Sequence, residues 1–136
     1  MASAQLLMGD NLDDRRQARA AILAELARIT PRLGVAPNRV YVMGQRTKWG
    51  NCSSRHNLSF NWRLVLAPRF VLQYLVMHEA VHLAIPDHSA KFWLTVQSQC
   101  PQTERARQWL SSHAEELRLA PVIVGVDRVA GYEERR

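Results

Sequence analysis

The chain has 136 residues, of which 47% are hydrophobic and 22% charged, and its formal net charge is +6. A chain of this length and apolar content forms one compact domain, which excludes disorder throughout. Two cysteines in no CxxC pair argue against a disulfide framework and fit a reducing compartment. Because the sequence has no signal-peptide pattern and no apolar run long enough to cross a membrane, it predicts a soluble cytoplasmic protein.

The positive net charge favours acidic binding partners, of which nucleic acid is the most common. All basic residues except Lys48 and Lys91 are arginine, and they are scattered along the chain without forming a run. A solvated surface explains this scattering better, so nucleic acid stays an alternative partner.

The first predicted element is an amphipathic helix over about residues 12–30, preceded by a flexible N-terminus at residues 1–10. Asn11 can cap this helix, while Pro31 and Gly34 end it. Its apolar residues recur at helical spacing: Ile22, Leu26 and Ile29. The opposite face carries arginines and is predicted to be solvated.

Three segments then read as strands. Residues 39–45 are rich in β-branched and aromatic side chains, and residues 46–54 form a second short strand or an irregular edge broken at Gly50. Residues 58–66 alternate between apolar and mostly polar side chains, which predicts a strand of nine residues. Since the connections look too short for a crossover, we expect a small antiparallel sheet.

Helices fill the second half of the chain. Pro68 opens a helix that runs to about residue 84 and is apolar on most sides, so it is predicted to be buried. Ser89 is predicted to cap a third helix and Thr103 a fourth. These elements make a single domain over residues 11–117, followed by a C-terminal extension at 118–136.

The segment HEAVHLAIPDH, residues 78–88, concentrates the reactive side chains. His78 and His82 are four residues apart on a predicted helix, so they share a face and can bind one zinc ion. Glu79 lies beside the pair, where it can reach a metal-bound water without being a ligand, as in HExxH zinc hydrolases. His88 follows a break at Pro86 and can return to the metal as a third ligand, which leaves the fourth position for water.

A lone HExxH pattern also occurs by chance, and a helical histidine is usually a hydrogen-bonded core or surface residue. Here the helix is predicted to be buried, and burying polar groups without partners costs about 1–3 kcal/mol each. The sequence therefore predicts one Zn²⁺ bound by His78, His82 and His88, with Glu79 as the general base and acid.

Four other candidates are assigned structural or solvated roles: His56 in a loop, His113 at the core edge or surface, and Cys52 and Cys100 as small buried thiols.

Four blocks of the chain read RTKWGNCSS, LSFNWRLVLAP, YLVMHEAVHLAIPDHSAKFW and ERARQWL. In order and spacing they resemble the YgjP-like family of zinc metallopeptidases, which is related to the SprT-like and WLM proteases. The resemblance spans about residues 13–117. It implies an α+β, minimal zincin-like fold in which a small antiparallel β-sheet packs on the HExxH helix with flanking helices. It also implies zinc at His78, His82 and His88, Glu79 as the catalytic residue, and a peptide or protein substrate.

The chain departs from the family pattern in several places. Ala80 stands where leucine is common, Asn51 replaces a frequent serine, and the turn 55–57 lacks the usual glycine. A single helix takes the place of an N-terminal β-rich portion. In such folds an edge strand along the cleft can pair with an extended peptide, and residues 49–54 and 58–62 are both candidates.

The leading hypothesis is a zinc metallopeptidase. A second hypothesis is a metal-dependent hydrolase of nucleotides or other phosphoanhydrides, although the chain lacks a phosphate-binding glycine loop. A third is a DNA-associated protease or a binding module in which zinc is structural. Glu79 argues against a purely structural zinc, because such a site has no use for a base at that place.

Overall fold

The computed structural model describes residues 12–119. The predicted N-terminus at 1–10, the cap at Asn11 and the chain beyond 119 lie outside the described residues. The elements, in chain order, are α1 (Leu12–Leu33), β1 (Arg39–Met43), β2 (Gly50–Cys52), β3 (Asn57–Asn61), a 3₁₀ helix (Trp62–Leu66), α2 (Arg69–His82), α3 (Ala90–Gln99) and α4 (Thr103–Leu119). The predicted α+β class is confirmed. None of the described helices is long and apolar enough to pass through a membrane.

The sheet is mixed and has the strand order β1-β3-β2. β2 pairs antiparallel with β3, as predicted, but β1 pairs parallel with β3. The prediction of a fully antiparallel sheet is therefore wrong. Residues 44–56 supply the crossover that a parallel pair needs, because the chain first runs to the far edge as β2 and then returns through a tight turn. β3 is therefore the central strand, and β1 and β2 form the two edges.

The third strand is shorter than its alternating pattern predicts. It ends at Asn61, and Trp62–Leu66 continue as a 3₁₀ helix. The side chain of Asn61 accepts a hydrogen bond from the backbone N–H of Arg63 at 3.0 Å, which satisfies a donor at the start of the helical turn. Trp62 and Leu64 are fully buried all the same. Alternation thus predicted the burial of Trp62 and Leu64, but Arg63 is buried as well and Leu66 is exposed, because the backbone has left the extended state.

Asn61 also fixes the loop between β1 and β2. Its amide Nδ2 donates to the carbonyl oxygens of Gln45 and Lys48, the latter at 3.0 Å. A guanidinium nitrogen of Arg63 donates to the carbonyl of Gly44 at 3.1 Å. Since Asn61 and Arg63 are both buried, these bonds hold the loop against the core and set the position from which β2 starts.

The first helix covers the outer edge of β1. Its apolar face is buried as predicted, while Arg15 and Arg19 donate hydrogen bonds, each of 3.0 Å, to the carbonyl oxygens of Val42 and Val40. Residues four apart on a helix rise about 6 Å, which matches the spacing of about 6.6 Å between alternate residues of a strand. Two arginines that the sequence places on a solvated face therefore cap this edge of the sheet.

The helix α2 lies at the centre of the molecule. Every residue from Tyr74 to His82 is buried, as the apolar pattern predicts. α1, β2, α3 and α4 all pack against it. Ser89 begins α3 as predicted, since its side chain accepts a hydrogen bond from the N–H of Phe92 at 3.4 Å. A polar side chain between Tyr74 and His82 is therefore largely enclosed by protein.

Candidate metal centre

Three histidine rings meet where α2 ends. His78 and His82 lie one turn apart on α2 and are buried, and half-buried His88 lies between α2 and α3. The Nε2 atom of His88 is 3.1 Å from Nε2 of His82 and 3.4 Å from Nε2 of His78. Each ring offers a nitrogen within 4.8 Å of those of the other two. The structure thus brings together all three histidines that the sequence singles out.

The backbone after α2 explains how His88 returns to the helix. The N–H of Leu83 donates to the carbonyl of Ala80 at 3.0 Å, a bond across three residues that tightens the last turn. Pro86 has no N–H with which to continue a helix. Beyond it, a carboxylate oxygen of Asp87 accepts a hydrogen bond from the N–H of Ser89 at 3.1 Å. The hydroxyl and then the N–H of Ser89 lower the pKa of the Asp87 carboxyl by hydrogen bonding to it.

The spacing of the nitrogens suits a metal ion. Zinc bound at about 2.0–2.1 Å by each of three tetrahedral ligands would separate those ligands by about 3.3 Å. The observed separations of 3.1 and 3.4 Å bracket that value. Imidazole nitrogens suit zinc, copper, iron and nickel better than magnesium or calcium, which take oxygen ligands. The residues present therefore fit a transition-metal ion.

Partners on the far side of two rings fix their orientation. Nδ1 of His82 is 3.0 Å from the carbonyl oxygen of Ile85, and a carbonyl can only accept, so this nitrogen carries the proton. The Nε2 lone pair of His82 is then free to face the other rings. The hydroxyl of Tyr74, which is fully buried, lies 3.1 Å from Nδ1 of His78. Such outer contacts orient metal-binding histidines.

The contribution of Tyr74 was missed in the sequence. Tyr74, His78 and His82 follow one another at intervals of four residues, so they form a single stripe along α2. That spacing was the signal that could have identified Tyr74, but a tyrosine on a buried helix is also an ordinary core residue.

Aromatic residues of α3 pack against the histidine rings. The ring of Phe92 stacks on His82 with centroids 4.3 Å apart and an angle of 18°, and the ring of Trp93 stacks on His88 at 5.8 Å and 23°. Phe92 is fully buried. These contacts limit how far the imidazoles can turn and keep water from their faces.

The carboxylate of Glu79 points toward the sheet. Glu79 is fully buried beside His78, and its side chain lies against the backbone of Gly50, the first residue of β2. A Cβ atom added at position 50 would stand 2.9 Å from both Cγ and Oε2 of Glu79. A larger residue at position 50 would therefore force the Glu79 side chain to move, a packing constraint that the sequence, which shows only a break in a strand, does not reveal.

Two cavities open beside the histidines and share Pro86. One, of about 400 Å³, lies between His82 and the turn that joins β2 to β3; its lining is Cys52, Ser53, Ser54, His56, His82 and Pro86. The other, of about 520 Å³, lies beside His88; its lining is Pro86, Asp87, His88 and Ser89. His82 and His88 thus each line a cavity, whereas His78 is fully buried behind them.

A model of the YgjP-like metallopeptidase domain matches residues 12–113, a range that contains the rings, Glu79 and Gly50. The chain belongs to the YgjP-like family. Membership in this metallopeptidase family indicates a metal-dependent peptidase whose substrates are peptides or proteins. A comparison with curated proteins found no match.

The remaining candidate residues of this YgjP-like domain lie apart from the rings or at their margin. His113 is half-buried and stacks on Trp109 with ring centroids 4.4 Å apart, which agrees with the predicted core edge. Cys100 is a buried thiol as predicted, whereas Cys52 is half-buried. His56 is exposed on the turn, as predicted, and also lines the cavity beside His82.

Proposed function

We propose that the chain is a zinc metallopeptidase in which His78, His82 and His88 hold one Zn²⁺ and Glu79 is the general base and acid. The observation that carries this proposal is the convergence of three histidine rings at a helix that also carries the buried carboxylate of Glu79, the residue after His78. Three protein ligands leave a position for water, which is typical of catalytic zinc sites and not of structural ones.

The proposed mechanism assigns each part of the site a role. Zinc, when bound, lowers the pKa of water to about 7 and polarises a carbonyl group. Glu79 accepts the proton of the attacking water and passes it to the nitrogen of the leaving amine. Gly50 leaves room for the Glu79 side chain, because a Cβ at position 50 would stand 2.9 Å from its Cγ and Oε2. The hydroxyl of Tyr74 orients the ring of His78, and the carbonyl of Ile85 orients the ring of His82, so that the Nε2 atom of each ring can bind the metal.

β2 is the better of the two strands proposed to bind an extended peptide. β3 is the central strand, so its two edges are already paired. The N–H of Asn61 donates to the carbonyl of Trp49, and the N–H of Ser53 donates to that of Asn57, each at 2.9 Å. Because bonded residues alternate in an antiparallel pair, Gly50 turns its backbone groups toward the outer edge of β2. A peptide paired there would pass next to Glu79.

The lining of the two cavities favours a peptide over a phosphoanhydride. The described lining residues include imidazoles, hydroxyls, a thiol and a carboxylate but no lysine or arginine. Enzymes that act on phosphoanhydrides surround the phosphates with cationic side chains or with a glycine-rich loop. Casein cleavage measured against nucleotide turnover separates the two activities.

The test begins with elemental analysis of protein purified without chelator. We expect about one zinc per chain, and much less in His88→Ala. Glu79→Gln should keep the zinc and lose peptide turnover by about 10²–10⁴-fold, the usual contribution of a general base. Glu116→Gln, a change at an exposed glutamate of α4, is the matched control and should behave as the parent. Protein that contains no zinc and takes none up when zinc is added would overturn the proposal.

A further inference from the structure

The turn between β2 and β3 has a defined geometry. The N–H of His56 donates to the carbonyl of Ser53, and the N–H of Ser53 donates to the carbonyl of Asn57, both at 2.9 Å. These two bonds enclose a three-residue hairpin loop, Ser54 to His56, whose last residue occupies the left-handed region with φ of 65°. Glycine is the ordinary residue at this position of such a loop, because it has no Cβ.

The surroundings hold His56 in this conformation. The hydroxyl oxygen of Ser53 accepts hydrogen bonds from the N–H groups of Arg55 and Asn57, each at 3.2 Å. The N–H of Asn38 donates to the carbonyl of His56 at 2.8 Å, and the Asn38 side chain donates to the carbonyl of Arg55 at 2.6 Å. A side chain kept at a glycine position by so many bonds is a recurrent feature of functional sites.

From this position His56 lines the cavity of about 400 Å³ that is also lined by His82 and Pro86. The Ser53 and Ser54 hydroxyls also line the cavity and can donate hydrogen bonds, and no carboxylate lines it among the described residues. Arg55, exposed on the same turn, adds positive charge nearby. The cavity thus offers donors to an acceptor side chain.

We propose that His56 is a specificity-determining residue that donates a hydrogen bond to a carboxylate or amide side chain of the substrate next to the scissile bond. The inference rests on the proposed peptidase function, because the acceptor is part of a peptide bound beside His82. The proposal concerns substrate choice and leaves metal binding to other residues.

The decisive variant is His56→Gly, because stability and selectivity should move in opposite directions. Glycine relieves the left-handed backbone, so the variant should unfold at the same temperature as the parent or a higher one. It also removes the imidazole. His56→Asn tolerates the same backbone and keeps an amide donor, so it should retain part of the selectivity. His113→Asn removes an imidazole far from the cavity and serves as the control.

The probes are acetylated, amidated octapeptides of constant sequence in which Asp, Asn or Ala is placed at each position in turn. For zinc-loaded enzyme we expect one position at which Asp or Asn raises kcat/KM over Ala. His56→Gly should lower that preference about tenfold and change cleavage of the Ala peptide little. A ratio of Asp to Asn well above one identifies the carboxylate as the preferred acceptor, and a ratio near one identifies the amide oxygen as sufficient.

Calorimetric titration of the same peptides into zinc-loaded Glu79→Gln, with and without His56→Gly, separates this inference from the proposed function. Binding that favours Asp or Asn and depends on His56 supports the inference even where the parent enzyme cleaves none of the peptides. That absence of cleavage would refute only the peptidase proposal. Cleavage or binding whose preference is unchanged in His56→Gly overturns the inference while the peptidase proposal stands. Lower stability of His56→Gly than of the parent, with selectivity unchanged, assigns the residue to the turn alone. Absence of both cleavage and binding overturns both.

Discussion

Glu79 and Gly50 are in such close contact that a Cβ at position 50 would stand 2.9 Å from the carboxylate oxygen Oε2. Separations below about 3 Å between a Cβ and another heavy atom force one of them to move. Gly50→Ala should therefore displace the Glu79 carboxylate from its place beside the rings. We expect the variant to retain zinc and to lose peptide turnover by about 10²-fold, as elemental analysis and a peptide-cleavage assay on one preparation would measure.

Gly34→Ala provides the control for a general effect of losing a glycine. Gly34 has φ of 71°, and a Cβ there would meet nothing within 4 Å, so alanine strains the backbone and touches no side chain. It should lower the free energy of unfolding by about 1 kcal/mol and leave turnover per folded molecule unchanged. Equal losses of turnover in the two glycine variants would contradict a specific contact between Gly50 and Glu79.

Tyr74→Phe should weaken zinc binding without creating a cavity in the core. The ring keeps its packing, but Nδ1 of His78 loses the hydroxyl that lies 3.1 Å away. Removing such an outer partner typically lowers metal affinity about 10–100-fold. Competition with a chromophoric chelator measures the affinity directly, and Tyr41→Phe, at an exposed residue of β1, is the matched control. An affinity equal to that of the parent would show that Tyr74 serves packing alone.

The candidate metal centre could be predicted from the sequence because its residues lie close together in the chain. His78 and His82 are one helical turn apart, and His88 follows them by way of a proline break, so spacing alone suggests that the rings can meet. Gly50 was not accessible in this way. Its contact with Glu79 exists only because β2 packs on α2, and nothing in the residues around position 50 encodes that distance. The sequence predicts that His56 lies in a loop, but it does not predict the cavity that His56 lines, because this cavity forms through tertiary contacts.

The fold shows the same division between local and long-range information. Helix positions were predicted to within a few residues, since Ser89 as a cap and apolar periodicity are local signals. The prediction that Pro31 ends α1 is wrong, because Pro31 lies inside the helix, which continues to Leu33. Whether β1 pairs with β3 in parallel or antiparallel fashion depends on the path of residues 44–56 through space, which no local pattern specifies. The alternation at 58–66 predicted the burial of Trp62 and Leu64 but did not reveal that Arg63 is buried or that Asn61 ends the strand.

Asn61→Ala should destabilise the protein strongly for a residue outside the candidate metal centre. The change removes donors to Gln45 and Lys48 and an acceptor for the N–H of Arg63, all within buried surroundings. We expect the free energy of unfolding to fall by roughly 2–4 kcal/mol, as urea denaturation followed by circular dichroism would show. Asn38→Ala, at an exposed asparagine with a single side-chain bond to the Arg55 carbonyl, should cost about 1 kcal/mol or less. Similar losses in both variants would argue against Asn61 as the residue that anchors the loop.

The paired change Arg15→Ala and Arg19→Ala should expose the outer edge of β1. The two guanidinium groups cover the carbonyls of Val42 and Val40, and an uncovered strand edge is a template for pairing with another chain. We expect the double variant to self-associate with rising concentration, measured by sedimentation velocity, while retaining zinc. Arg16→Ala with Arg32→Ala removes the same charge from exposed positions of α1 and should sediment as the parent does. If both double variants associate equally, reduced net charge is the cause and the capping of β1 is not.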